Sequence, residues 1–261
     1  MEIGSGRRGL RIAASVATAL FTAGCSNPGD EVTGSVHVDY WRPKVAGEVE
    51  ITKGSKVGTA TPISLRRDLG MDHDDTPVIG ADLDWGRNRF SLEYTGITLH
   101  GSTTNPEDFI FHDKLYPAGD PVSADLNVPS IRASWSYALW QDGLSAWRAG
   151  LGARLWTFDM TVKDAVAGND ETRKFSHAFP LAISELDWDL THGFGVKLLG
   201  DVAGLSTSQI VYEAGAALEW RAPNLFGAEL GWKYERYDFN ESTNDGDFNL
   251  SGPYIALRFR F

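Results

Sequence analysis

From Val36 to Phe261 the sequence alternates between apolar and polar residues with a period of two, and it nowhere sustains the spacing of an amphipathic helix. Period two belongs to strands whose two faces meet different surroundings. Such a chain cannot bury itself as a helical bundle; it needs a sheet with one apolar and one polar side. After residue 24 no segment approaches 18 consecutive apolar residues, so no transmembrane helix is expected.

Ten strands are expected, over 35–51, 78–86, 89–100, 122–140, 144–161, 174–190, 194–205, 209–221, 225–239 and 248–261, with eight as the lower count. Tight connections are expected at Arg87-Asn88 and, as three-residue loops ending in Gly or Asn, at Gln141-Asp142-Gly143, Thr191-His192-Gly193 and Ala222-Pro223-Asn224. Long connections alternate with them. Centring one hairpin on His192 sets Trp188 opposite Val196 and Asp187 opposite Lys197. Centring another on Pro223 sets Trp220 opposite Phe226 and Glu213 opposite Lys233, so apolar meets apolar and acid meets base. An Arg87-Asn88 turn keeps the faces consistent but sets Asp82 opposite Glu93, an acidic pair without a physical account.

One face of these strands carries Ile79, Leu83, Leu92, Ile131, Trp135, Leu151, Leu155, Leu198, Leu218, Leu230 and Leu257; the other carries Asp82, Glu93, Arg132, Arg148, Arg154, Asp187, Lys197, Glu213, Glu229, Lys233 and Arg258. A soluble barrel buries the apolar face, whereas a membrane barrel turns it to lipid. Aromatic residues decide between them. Trp85, Phe90, Tyr137, Trp147, Trp188, Phe194, Trp220 and Phe226 flank the tight turns, and Trp41, Tyr94, Trp156, Phe158, Tyr212, Tyr234 and Tyr237 lie toward the long loops. Two girdles point to an all-β, closed, antiparallel up-and-down transmembrane barrel. A lipid-tethered soluble barrel binding an apolar ligand is the alternative.

The closing "PYIALRFRF" resembles the C-terminal strand of Gram-negative outer-membrane β-barrels, with Ile255, Leu257, Phe259 and Phe261 at its alternating apolar positions. As architecture the resemblance covers residues 35–261 and is similar to small OmpW-type barrels. It implies outer-membrane lipids, lipopolysaccharide and the barrel-insertion machinery as partners, short turns facing the periplasm and long loops facing outward.

The N-terminus carries Arg7, Arg8 and Arg11, an apolar run from Ile12 to Phe21, then Thr22-Ala23-Gly24-Cys25. This is a secretory signal pattern. "TAGC" resembles the lipobox of bacterial lipoproteins, departing from it at Thr22, and implies an N-terminal lipid on Cys25; an ordinary signal-peptide cut is the alternative. Cys25 is the only cysteine, so it has no disulfide partner. The expected domains are a signal peptide at 1–24, a lipidated periplasmic tether at 25–34 and the barrel at 35–261. Removing 1–24 takes away three Arg and one Glu, leaving 21 basic and 34 acidic residues, a net charge of −13. That acidity argues against nucleic acid as a partner.

For function, the charged face is expected to form a lumen network of Asp187, Lys197, Glu213, Lys233, Arg132, Arg148, Glu229 and Arg258, either paired as a plug or lining a narrow, weakly cation-preferring pore. The outward loops hold Asp72, His73, Asp74 and His112, residue types that ligate metals, at spacings that fix no geometry. No other cofactor is expected. "KFSHAF" sets Ser176 beside His177 near the outer end of a strand, the material of a hydrolase, but no nucleophile–base–acid spacing stands out. The expected role is a non-catalytic surface or assembly component, or a narrow pore. The rival is an outer-membrane enzyme, a lipid A-modifying hydrolase or a rim protease.

Overall fold

A computed structural model describes residues 32–54, 60–206, 209–222 and 225–261. Cys25 and the signal segment lie outside them, as does most of the expected tether. The strands are β1 (Val32–Trp41), β2 (Lys44–Ile51), β3 (Ile63–Ser64), β4 (Thr76–Trp85), β5 (Asn88–Thr104), β6 (Phe109–Phe111), β7 (Lys114–Tyr116), β8 (Pro121–Asp142), β9 (Ser145–Asp164), β10 (Asn169–Thr191), β11 (Phe194–Ser206), β12 (Gln209–Arg221), β13 (Phe226–Asn240) and β14 (Asn244–Arg260).

Eleven of these form the ten-stranded wall of a closed antiparallel barrel. Neighbours in sequence pair with one another, and β1 closes the ring by pairing with both β4 and β14. β1 and β2 are one wall strand: β14 pairs with both in a single register, and the break at Arg42-Pro43 is bridged by Arg42 N donating to Pro253 O at 3.1 Å. Pro43 has no N–H to offer the ladder, which is why the strand expected over 35–51 is interrupted there. β3 and the β6–β7 hairpin belong to the long connections at the outer end.

The tight turns differ in detail from expectation. Trp85 pairs with Asn88, so the first turn is Gly86-Arg87, with φ of 60° at Gly86. Glycine at the first central position is the type II′ requirement. This shift sets Asp82 opposite Ser91, whose hydroxyl donates to it at 2.7 Å, and sets Glu93 opposite Gly80. The unexplained acidic pair does not exist. The second turn is Gly143-Leu144 and the third His192-Gly193, both two residues long rather than three. His192 and Gly193 both have positive φ, the type I′ pattern. A register irregularity between Asp189 and Thr191 absorbs the difference, so Trp188 does face Val196 and Asp187 does face Lys197. Beyond Arg221 the register is displaced by two residues from expectation. Glu213 faces Glu235, and Lys233 faces Gly215. The reason is a longer connection, closed by Ala222 N donating to Phe226 O at 2.9 Å. A two-residue slip preserves the faces, so both side chains still point inward.

The barrel is built in two zones. In β8, Ile131, Trp135 and Tyr137 are exposed while Arg132 and Ser136 are buried. Higher on the same strand Val122, Leu126 and Val128 are buried, and Ser123, Asp125 and Asn127 face out. β9 repeats this, with Trp147, Leu151 and Leu155 outside below, and Trp156, Phe158, Met160 and Val162 inside above. Side-chain direction keeps alternating across this level; the chemistry assigned to each face is exchanged. Following the ladders round, and allowing for strand tilt, the exchange falls at one level near Arg42, Pro77, Gly96, Pro129, Leu155, Pro180, Tyr212, Tyr234 and Ser251. Below it the exterior is apolar for about eight to ten residues per strand, about 20–25 Å of height at a tilt of about 40°, matching the lipid-facing band of a membrane barrel.

The aromatic belts follow. Trp85, Phe90, Tyr137, Trp147, Trp188, Phe194, Trp220 and Phe226 face outward at the short-turn end, as expected. The upper belt is smaller than expected and consists of outward-facing Tyr40, Tyr94, Tyr212 and Trp232, with Tyr234 beside them. Trp41, Trp156, Phe158 and Tyr237 are not in it; each is at most 1% exposed and fills the interior.

Candidate functional site

The lower lumen is filled by ion-paired side chains, among them Asp187, Lys197, Glu213, Lys233, Arg132, Arg148, Glu229 and Arg258. Arg148 meets Asp187 at 2.6 Å, Arg258 meets Glu229 at 3.1 Å and Asp82 at 2.6 Å, and Lys197 meets Glu229 at 3.5 Å. One layer up, Arg132 bridges Asp201 at 2.7 Å and Glu93 at 2.8 Å. Lys233 reaches Glu213 at 3.2 Å and Glu235 at 3.0 Å, so the Glu213–Lys233 ion pair forms on the diagonal rather than directly across. Arg154, fully buried, lies 2.6 Å from Glu213. Arg89, on the same face of β5 as Ser91 and Glu93, also points inward, to Asp84 at 2.8 Å and Asp187 at 3.3 Å. Charges withdrawn from bulk water persist only when paired in this way.

Within the network a cavity of about 60 Å³ is bordered by His37, Glu93, Lys233 and Arg258. Below it a vestibule of about 600 Å³ sits at the short-turn end, bordered by Arg148, Glu219, Arg221 and Arg260. Above it Tyr237 donates its hydroxyl to Glu235 at 2.6 Å and marks the change from ionic to apolar filling. Tyr237 stacks on Phe248 at 5.0 Å between ring centroids, Phe158 stacks on Phe175 at 5.0 Å, and Trp156 lies 5.4 Å from Tyr237 and 5.8 Å from Phe239. The expected charge-filled lumen is therefore only half of the interior. The upper half is an aromatic plug continuous with Leu65, Leu69 and Met71 of the β3–β4 connection and Phe111 and Tyr116 of the β6–β7 hairpin. Tyr116 donates to Val162 O at 3.0 Å, and burial pushes its phenol up, which keeps it a donor.

The wall is uneven at the outer end. β10 pairs with β9 from Asn169 onward, but with β11 only from Leu181. β11 and β12 stop lower than β10 and β14, leaving a notch. Its inner lip carries His177, 2.9 Å from Glu241, and Arg173, which donates to Asn244 Oδ1 at 2.9 Å. Ser176, adjacent to His177, faces outward and lies 2.8 Å from Thr157. Strand geometry thus puts the Ser and His of "KFSHAF" on opposite sides of the wall.

The metal-type residues are not brought together. His112, in the β6–β7 turn, contacts Glu171 at 2.8 Å. His73 contacts Asp72 at 3.0 Å through Nδ1 and Arg42 at 2.6 Å through Nε2, and the Asp72 carboxyl is held below the usual range by the His73 hydrogen bond. Asp74 lies 3.9 Å from His100. Among the described residues no group of three His, Cys, Asp or Glu side chains is arranged to hold a metal ion.

No family model matches this sequence, and no curated protein matches it. Solved structures that resemble it include the outer-membrane protease OmpT of Escherichia coli, at 9% identity over 87% of this chain and 97% of that one, with a TM-score of 0.48. The attachment invasion locus protein Ail of Yersinia pestis, in complex with the heparin analogue sucrose octasulfate, resembles it at 10% identity over 88% and 99%, with a TM-score of 0.39. Neisserial surface protein A does so at 13% identity over 87% and 97%, with a TM-score of 0.37. Nothing about activity follows from likenesses of this degree. The chain's own closed ten-stranded ring, apolar lower exterior and ionic lower lumen are those of an outer-membrane β-barrel.

Proposed function

We propose that this chain is a non-conducting surface protein of the bacterial outer membrane, held in the bilayer by its lower zone and displaying its upper zone as a water-exposed β-sheet tower. The observation that carries the reading is the exchange of faces at one level, which fills the upper interior with Trp156, Phe158, Tyr237, Phe239 and Phe248, each at most 1% exposed. An ion crossing the barrel would have to pass that close-packed plug, and the cavity of about 60 Å³ beneath it has room for about two water molecules. The polar outer surface of the tower, with Thr98, Asn127, Thr161 and Thr172 in cross-strand hydroxyl and amide pairs, is suited to water rather than lipid. A lipid on Cys25 would add a second anchor on the periplasmic side. Planar-bilayer recording on the purified chain tests the reading: no steps above baseline are expected, and sustained, ion-selective conductance would overturn it.

A further inference from the structure

The edge of β10 that faces the notch carries no strand from Asn169 to Pro180 among the described residues. A bare edge of this length, above the membrane, is a template for another strand. Its sequence from Asp170 is Asp-Glu-Thr-Arg-Lys, two acids and two bases disposed symmetrically about Thr172. An antiparallel partner of the same sequence, centred on Thr172, would set Asp170 opposite Lys174 and Glu171 opposite Arg173 at both ends.

The neighbouring strand extends the match. On the outer face β9 already sets Lys163 opposite Asp170 and Asp159 opposite Lys174, at 3.8 and 3.1 Å. Two copies joined edge to edge would read Lys163, Asp170, then Lys174 and Asp159 of the second copy, strictly alternating in charge across four strands. Between the two charged rows, Thr161 and Thr172 meet at 2.9 Å and would continue as a ladder of four threonines. Opposite charges directly across a ladder are favourable and like charges are not. A one-residue change of centre, to Arg173, would bring Lys174 onto Thr172 and lose both outer matches.

We propose that the β10 edge is a self-recognition strand that pairs antiparallel with the β10 edge of a second copy of this chain. The inference rests on the surface-display reading for its setting. β10 descends toward the membrane in every copy, so two barrels side by side in one bilayer present this edge in parallel and cannot pair this way. Antiparallel pairing needs barrels from two opposed membranes. Thr172 stands eight residues above the level of Pro180, about 20 Å, so the paired towers would hold the two bilayers about 40 Å apart. The resulting contact is twofold symmetric and closed, so it joins two cells or vesicles and does not propagate as a fibre.

Charge exchange tests it, at side chains about two-thirds exposed on the outer face. Sedimentation in detergent micelles reads the edge itself, and clustering of phospholipid vesicles bearing the inserted protein reads the opposed arrangement. The native chain is expected to dimerise and to cluster vesicles. Asp170→Lys alone, or Lys174→Asp alone, should weaken dimerisation about tenfold or more. Mixing the two variants, or combining them in one chain, should restore it. A native chain that stays monomeric, or single variants that associate like the native chain, would overturn the proposal. Dimers in micelles without vesicle clustering would overturn the opposed-membrane arrangement. Conductance in the bilayer experiment, with this pattern intact, would remove the non-conducting reading and leave the edge standing.

Discussion

Leu151 and Thr157 lie on the same strand and the same outer face of β9, six residues apart, and the two-zone barrel assigns them different solvents. Leu151 is 64% exposed and central between Trp147 and Leu155, the ends of the apolar band on this strand. At about 3.3 Å per residue and a tilt of about 40°, six residues raise Thr157 about 15 Å above Leu151. The band is about 25 Å tall, so its half-height of about 12 Å leaves Thr157 beyond the hydrocarbon. Leu151→Arg should therefore cost about 2–4 kcal/mol, the range for a midplane arginine on a lipid-facing strand, and Thr157→Arg about 0–1 kcal/mol. Thr157 also gives up its contact with Ser176, an exposed pair contributing little. Urea titration of each variant folded into phospholipid vesicles measures the difference. Equal losses would mean that the exterior of β9 meets one solvent along its length, and the boundary drawn at Leu155 would be wrong.

Removing Arg154 should leave Glu213, Glu235 and Asp201 short of a base in a fully buried layer, so Arg154→Met is expected to cost about 3–5 kcal/mol, with part recovered in a Glu213→Gln background; a double-mutant cycle without coupling would deny the pairing. Trp156→Ala should open a cavity in the plug and cost about 3–5 kcal/mol in the same titration, whereas a lipid-facing Trp156, as the aromatic count alone suggested, would lose much less. If Cys25 is acylated, the intact mass of the membrane-extracted protein will exceed that of the 25–261 polypeptide by the mass of the lipid, and an unmodified thiol or a cut beyond Cys25 would refute it.

Strand count, closure-ready alternation and the lower belt were legible in the sequence, because period two and turn chemistry are local properties. Leu83, Leu92, Leu151 and Leu218 are outside, and Asp82, Arg132, Glu213 and Lys233 inside, as pattern alone required. The plug was legible too, had the alternation been followed through "VSADLNVPSIRASW": apolar residues hold the even positions from Val122 to Val128 and the odd ones from Ile131 to Trp135. Three things were beyond the pattern. Which residues open a turn decided whether Asp82 met Glu93 or Ser91. A two-residue slip in register changed Glu213's partner without changing its face, since parity is blind to even shifts. The bare edge of β10 exists only because β11 and β12 stop short of it, a comparison of heights between strands that are neighbours in space. Alternation tells each residue which side of the wall it is on; only the assembled ring says how high it stands, and height decides whether the outside is lipid or water.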